Sequence, residues 1–333
     1  MSHELLVNDG EASMMYVGEP PWHGLGTKLN SPATAEEAIS VAKLGWDVEK
    51  KPLAFMDGPK PVPVENRYAV VPGGGWQGET RPVLGIVSKG YTPLQNRDAF
   101  RFFDPIVGQD AAVYHTAGVL GQGERIWILA KLPESIRVVG DDITDKYLLL
   151  SNNHDGHGAV QIKFTPIRVV CNNTLTLALN GGADIRVPHT HDLQERLEQA
   201  EDLLGIIKKG YDELAETFRA MTTLQINANS LDRYLTIVFP SPRDPKDEPA
   251  LRKVSHDRTC ARYFFDSGAG SDLKGVPGTL WAAYNGVTEY IDHRFMRTSA
   301  SGRLNSIWFG NGHLVKSRAL TVAKSFLESP SVN

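Results

Sequence analysis

The chain of 333 residues has little cysteine, no long apolar run and no strong excess of either charge. Its two cysteines, Cys171 and Cys260, are far apart, which excludes a small disulfide-stapled fold and is typical of a reducing compartment. No stretch approaches the about 20 apolar residues of a membrane-spanning helix. The first residues also lack the basic and apolar regions of a signal peptide. We therefore expect a cytoplasmic protein with no membrane partner.

The composition is that of a globular protein, with 41% apolar residues, 22% charged residues and a net charge of −4. This balance excludes a protein that binds polyanions over its whole surface and leaves only a local basic patch. The chain has no Walker-type phosphate loop, no GxSxG elbow and no HExxH zinc motif. We expect no cofactor, and the motifs favour no enzyme class.

Residues 80–170 alternate between apolar runs and turn residues, which is typical of antiparallel strands. The sequence Gly121-Gln122-Gly123 separates two apolar runs and predicts a hairpin. NNHDGHG, residues 152–158, predicts a second hairpin. Short helices are expected at Thr34–Ala42 and from Asn96, whose side chain can cap its own helix.

From Asp192 the apolar period changes to that of a helix, with apolar residues at helical spacing from 193 to 218. The C-terminal stretches GTLWAAYNGVTEYIDHR and HLVKSRALTVAKSFL also read as helices. This order predicts an α+β fold: an antiparallel β-meander, a long helix covering one face of it, and a helical C-terminal part. We predict that residues 1–240 form the β-rich core with an irregular N-terminal arm. Residues 241–333 then form a linker and a basic helical part, packed with the core as one unit.

The segment RVVCNNTLTLALNGG, residues 168–182, follows a predicted strand. A nucleophilic cysteine needs a basic partner and access to solvent. Cys171 instead stands among apolar neighbours, which favours a small, buried and unreactive side chain. Asn172 or Asn173 is expected to cap a helix that ends at Gly181–Gly182.

Four histidines fall in a predicted turn and before the long helix: His154, His157, His189 and His191. With neighbouring aspartates they offer ligands that suit zinc, manganese or iron. Their spacings match no standard metal motif, and the alternative is a polar hairpin tip followed by a helix cap at Asp192. We predict no tight metal site, and the sequence leaves open whether the four side chains converge.

The C-terminal part has a local excess of positive charge. Residues 250–333 contain 11 Lys/Arg and 6 Asp/Glu, a net +5. Aromatic residues interleave with these cations, a combination that suits single-stranded nucleic acid because phosphates need charge and bases need a stacking face. The predicted nucleic-acid-binding residues are Arg294, Arg297, Arg303, Trp308, Lys316 and Arg318. The alternative is that the arginines make internal ion pairs with Glu289 and Asp292 and that Trp308 belongs to the core.

The chain resembles the phage/plasmid-related protein family built on the domain of unknown function numbered 932. The resemblance rests on PPWHGLGTKL, GYTPLQNRDAF, RVVCNNTL, GTLWAAYNGVTEYIDH and SIWFGNGHLVKSRAL, in that order along nearly the whole chain. It implies a gene carried by phages, prophages or plasmids. It does not identify an activity or any catalytic residues. A β-meander that leads into a long helix is also similar to the core of phage single-strand annealing recombinases.

Three functions are open on the sequence. The first is nucleic-acid binding in DNA metabolism, of the single-strand annealing type, by a homo-oligomer. The second is a metal-dependent hydrolase or nuclease built on the histidine-bearing turns. The third is a non-enzymatic interaction protein, such as an inhibitor of host defence. An annealing protein needs a continuous basic groove, an enzyme needs convergent polar groups in a pocket, and an inhibitor needs neither.

Overall fold

A computed structural model gives the fold of the chain. It describes residues 5–8, 10–18, 26–103, 113–168, 173–174, 184–193, 195, 201–293, 306–307 and 310–328. Helices and mostly antiparallel strands in these ranges confirm the α+β class.

The chain divides into two compact units, and both are discontinuous in sequence. The first unit consists of residues 1–132, 148–163 and 184–206. The second consists of residues 133–147, 164–183 and 207–333. The boundary that the sequence suggested after residue 240 falls inside the second unit.

The strands and helices are numbered in chain order. The strands are β1 (Val7–Asn8), β2 (Glu11–Ala12), β3 (Met14–Val17), β4 (Thr27–Leu29), β5 (Val48–Asp57), β6 (Lys60–Pro72), β7 (Gly85–Ser88), β8 (Tyr114–Leu120), β9 (Arg125–Lys131), β10 (Ile136–Val139), β11 (Asp142–Asp145), β12 (Tyr147–Asn153), β13 (Val160–Phe164), β14 (Ile167–Arg168), β15 (Asn173–Thr174) and β16 (Asp184–Val187). The helices are α1 (Ala35–Val41), α2 (Asn96–Arg101), α3 (Glu201–Thr223), α4 (Ala228–Val238), α5 (Glu248–Ser267), α6 (Leu280–His293) and α7 (Asn311–Glu328).

A seven-stranded sheet forms the centre of the first unit, in the order β16-β13-β12-β9-β8-β3-β4. The predicted turn at residues 121–123 closes the antiparallel hairpin of β8 and β9, with Leu120 opposite Arg125. β12 and β13 are neighbours on either side of the NNHDGHG stretch, so the second predicted hairpin is also confirmed. Residues 126–130 of β9 are all buried, because this strand is covered on both faces.

The strands of residues 80–170 do not form one meander. β7 joins β5 and β6 in a three-stranded antiparallel sheet of the first unit. β10, β11 and β14 join β15 in an antiparallel sheet of the second unit. Period-two patterning predicts strands, but it does not determine which strands become neighbours.

Helix α6 is the centre of the second unit, and every residue from Leu280 to Asp292 is buried. Helices α5 and α7 pack against it. The long helix α3 is confirmed, and its Phe218 ring lies 4.6 Å from the ring of Trp281 in α6. The guanidinium of Arg219, the next residue of the same helix, donates to the carbonyl of Arg137 in β10. Within the second unit α3 therefore contacts both a strand and the central helix.

Two predicted helix starts have different outcomes. The short helix predicted at 34–42 is α1, and the structure shows that Thr34 caps it through a capping box with Glu37. The prediction that Asn96 caps α2 is wrong, because Gln95 is the N-cap residue and makes no side-chain cap bond. Asn96 is the first residue inside the helix, where it is buried. Its amide nitrogen donates to the backbone carbonyls of residues 44 and 46.

The turn after β14 also differs from the expectation. Asn173 lies in β15 and pairs with Arg168 of β14, so it does not cap a helix. Cys171, Asn172 and Gly181–Gly182 lie outside the described residues, and the prediction of a buried, unreactive Cys171 stays a prediction.

Candidate functional site

The structure brings together two of the four candidate histidines in the first unit. His154 follows β12 and is 0% exposed, and His189 follows β16 and is 7% exposed. His189 stacks on Tyr91 with ring centroids 4.7 Å apart, and His154 packs edge-on against Trp46. The other two, His157 and His191, are exposed. The four side chains therefore do not form one cluster.

The hydrogen bonds fix the tautomers of both buried histidines. The Asn96 side chain donates through its nitrogen, so its Oδ1 must accept, and it lies 3.0 Å from Nε2 of His154. His154 thus carries its proton on Nε2. The carbonyl of Thr92 lies 3.0 Å from Nδ1 of His189 and can only accept, so His189 carries its proton on Nδ1. Each ring presents its other nitrogen as an unprotonated acceptor.

Burial keeps both rings neutral. Burial, and secondarily the neighbouring His189, lower the pKa of His154 to about 3. Burial also lowers the pKa of His189, against the opposing effects of the Thr92 carbonyl and Asp155. Nδ1 of His154 and Nε2 of His189 have no hydrogen-bond partner within the described residues. These nitrogens can accept a proton or a hydrogen bond, but they are enclosed in the core.

The buried pair is poorly placed for catalysis on a substrate. Two cavities in the first unit, of about 370 and 360 Å³, are lined by neither histidine. Among the described ranges, no group of three or more His, Cys, Asp or Glu residues could hold a metal ion. The geometry favours a structural role for His154 and His189, and the absence of a tight metal site stays a prediction.

Lys316, one of the six predicted nucleic-acid contacts, is not at the surface. Its side chain is 1% exposed, and its ammonium lies 2.7 Å from the carboxylate of Asp292, a side chain that is 5% exposed. The prediction for this residue is therefore wrong, because α7 turns Lys316 toward the buried helix α6. Burial lowers the pKa of Lys316, while the Asp292 carboxylate acts in the opposite direction.

The other predicted contacts divide into two groups. Arg318 is exposed on α7, and its guanidinium donates to the carbonyl of Val238 at 2.9 Å. Arg294, Arg297, Arg303 and Trp308 lie outside the described residues, and their role stays a prediction. Asp292 does make an internal ion pair, but its partner is a lysine and not one of the arginines of the alternative. The Glu289 carboxylate accepts from the backbone N–H of Ala269 at 3.1 Å.

Helix α5, which the sequence analysis did not identify, carries an exposed basic and aromatic face. Arg252, His256, Thr259 and Tyr263 are spaced by three or four residues, so they share one side of the helix. All four are exposed, and Tyr263 has 61% of its surface accessible. The one signal in the sequence is Asp247, which caps the helix by accepting from Ala250 N–H, with a proline in the first turn.

The cations of α5 make ion pairs with nearby carboxylates. Arg252 pairs with Glu248 of the same helix at 2.9 Å. The Arg262 guanidinium contacts Asp232 of α4. These pairs are accessible to solvent, and exposed pairs of this kind contribute only about 0–1 kcal/mol, so either arginine can exchange its partner for a phosphate at small cost.

Positive charge is concentrated in the second unit. This unit contains 20 Lys/Arg and 17 Asp/Glu, whereas the first contains 15 and 22. The net charges are therefore +3 and −7. The exposed face of α5 and Arg318 both belong to the positive unit.

None of the described helices has the length and hydropathy needed to span a bilayer. No curated protein and no solved structure matches the chain. A family model matches residues 83–308, about two thirds of the sequence and parts of both units. Its description is a domain of unknown function, DUF932. The chain therefore belongs to the DUF932 family.

Proposed function

We propose that the protein binds single-stranded nucleic acid through the exposed face of α5. The observation that carries the proposal is Tyr263, an aromatic side chain that is 61% exposed on a helix that also carries Arg252 and Arg262. Unstacked bases lie well on such a ring, and the guanidinium groups can neutralise the adjacent phosphates.

The charge distribution supports the same surface. The second unit is net positive in a net negative chain, and this asymmetry directs a polyanion to one part of the molecule. Arg318 is a further exposed cation of this unit. Arg294, Arg297, Arg303 and Trp308 stay in the proposal as additional contacts. In its wider form, the proposal is that the protein acts in single-strand annealing for a phage or plasmid, in the cytoplasm and as a homo-oligomer.

The first prediction concerns Tyr263→Ala. Loss of one stacked base costs about 1–3 kcal/mol, which weakens binding roughly 5- to 150-fold. Fluorescence anisotropy with a labelled oligothymidylate measures this change in the full chain. Leu314→Ala is the matched control, because Leu314 is 60% exposed on α7 of the same unit and lies outside the proposed face. The control variant is expected to bind as the wild type does.

The same titration over a range of salt concentrations tests the electrostatic part. The logarithm of the affinity is expected to fall linearly with the logarithm of salt, by about 0.7 for each phosphate neutralised. Arg252→Gln with Arg262→Gln is expected to flatten this slope. The proposal is refuted if the wild-type protein shows no salt-dependent binding to oligothymidylate or oligouridylate. Comparison of its affinities for the two oligonucleotides shows whether it prefers DNA or RNA.

A further inference from the structure

A two-stranded β-ribbon extends from the three-stranded sheet of the first unit. β6 pairs with β7 only at residues 67–70, so no third strand among the described residues pairs with residues 53–64, the arm. Where the arm begins, Pro52 opposes Tyr68 but Ala54 opposes Pro63. β6 therefore has extra residues at this bulge, which bends a ribbon away from its sheet.

The arm is apolar and exposed. Phe55 and Met56, near its tip, are 56% and 63% exposed. They lie opposite Val62 and Pro61 on β6. An isolated two-stranded ribbon has marginal stability in water, and an exposed apolar patch usually marks a contact surface. The arm therefore has the character of a segment that a partner covers.

Backbone pairing along the β6 edge of the arm is blocked. A two-residue turn joins Asp57 to Lys60, so these two residues form a hydrogen-bonded pair and the next position points outward. Pro61 and Pro63 occupy outward positions and have no N–H to offer. A partner on this side must cover the arm through its side chains, because a further strand lacks donors there.

The first unit also contains a groove of mixed character. A cavity of about 370 Å³ is lined by the apolar residues Leu6, Val7, Trp76 and Pro82 together with Asn8, Gln77, Gly78, Glu79, Thr80 and Gln122. Val7 is 43% exposed. Glu79 is the one charged residue in the lining, and Lys60 beside the arm tip can pair with it. No residue of the arm lines this groove.

We propose that the Phe55–Met56 tip of one copy docks in this groove of a second copy. In the described part of the first unit the arm is an exposed apolar projection, the groove offers apolar residues and the Glu79 carboxylate, and the contact covers both. Because the projection and the groove are different surfaces, the contact is head-to-tail and produces a ring or a filament. This inference rests on the first unit alone and is independent of nucleic-acid binding by α5.

Sedimentation of the full chain without nucleic acid tests the inference. The wild type is expected to form oligomers, and Phe55→Ser with Met56→Ser is expected to sediment as a single chain. Ile86→Ser is the matched control, because Ile86 is 57% exposed on β7 of the same sheet but outside the arm. A wild type that is monomeric over the concentration range, or a double variant that stays oligomeric, overturns the proposal.

Disulfide trapping distinguishes the groove from other contacts. A mixture of Met56→Cys and Val7→Cys chains is expected to cross-link, while neither variant alone does so above the level of the unsubstituted protein. Met56→Cys chains that cross-link to each other indicate arm-to-arm packing and contradict docking in the groove. If the wild type is a monomer and its binding to oligothymidylate depends on Phe55, the arm binds nucleic acid. That result also overturns the proposal.

Discussion

Replacement of Lys316 by Met is expected to lower the free energy of unfolding by about 3–5 kcal/mol, because it removes one member of a buried ion pair. The other member, Asp292, has a side chain that is 5% exposed and lies 2.7 Å from the Lys316 ammonium. Urea denaturation at neutral pH measures the loss. Lys209→Met is the control, since Lys209 is 79% exposed and lies 3.9 Å from Glu213. Its loss is expected to stay within about 1 kcal/mol.

A second variant distinguishes the ion pair from simple packing at this position. Lys316→Met with Asp292→Leu is expected to recover most of the lost stability, because an apolar pair of similar volume often replaces a buried ion pair without net cost. A Lys316→Met protein within about 1 kcal/mol of wild type contradicts the buried pair. In that case Lys316 returns to the set of surface cations that can bind phosphate.

The second large effect is acid destabilisation through His154. Its pKa is about 3 in the folded protein and about 6.5 in an unfolded chain, so the unfolded state binds the proton first as pH falls. The free energy of unfolding is therefore unaffected by this group above about pH 6.5 and decreases below it. The slope for one such group is about 1.4 kcal/mol per pH unit until pH approaches the folded pKa. His189, whose pKa is also lowered, acts in the same direction.

Urea denaturation at a series of pH values between neutral and acidic measures this slope. His154→Gln is expected to be less stable at neutral pH and to show a shallower pH dependence than wild type. His157→Gln, in the same turn but exposed, is expected to keep the wild-type slope. Equal slopes for wild type and His154→Gln contradict the neutral, enclosed imidazole.

Local signals in the sequence identified most helices and turns correctly. The short helix at 34–42 and the hairpin of β8 and β9 depend on residues within a few positions, so pattern reading finds them. Asn96 has the chemistry of a cap, but its amide bonds to carbonyls about 50 residues away in sequence. The pairing of His154 with His189 likewise depends on the order of strands in the sheet, which local patterns do not contain.

Two features of the second unit were missed for different reasons. Lys316 shares one helix stripe with Gly312, Ala319 and Ala323, all buried, so helical spacing could have identified its burial. The count of basic residues in 250–333 does not show which face of its helix each residue occupies. Helix α5 was missed because only two of its residues are buried, Asp257 and Ala261, and one of these is charged, so its apolar residues do not mark a buried face.

Photo-cross-linking tests the proposed interface most directly. Oligonucleotides with 5-iodouracil, irradiated in complex with the full chain and mapped by mass spectrometry, identify the aromatic side chains that stack on bases. The nucleic-acid proposal predicts a cross-link at Tyr263, lost at high salt and absent in Tyr263→Ala, while Phe55 in the first unit is unmodified. Cross-links confined to the first unit, or none under conditions where a known single-strand binder reacts, contradict it.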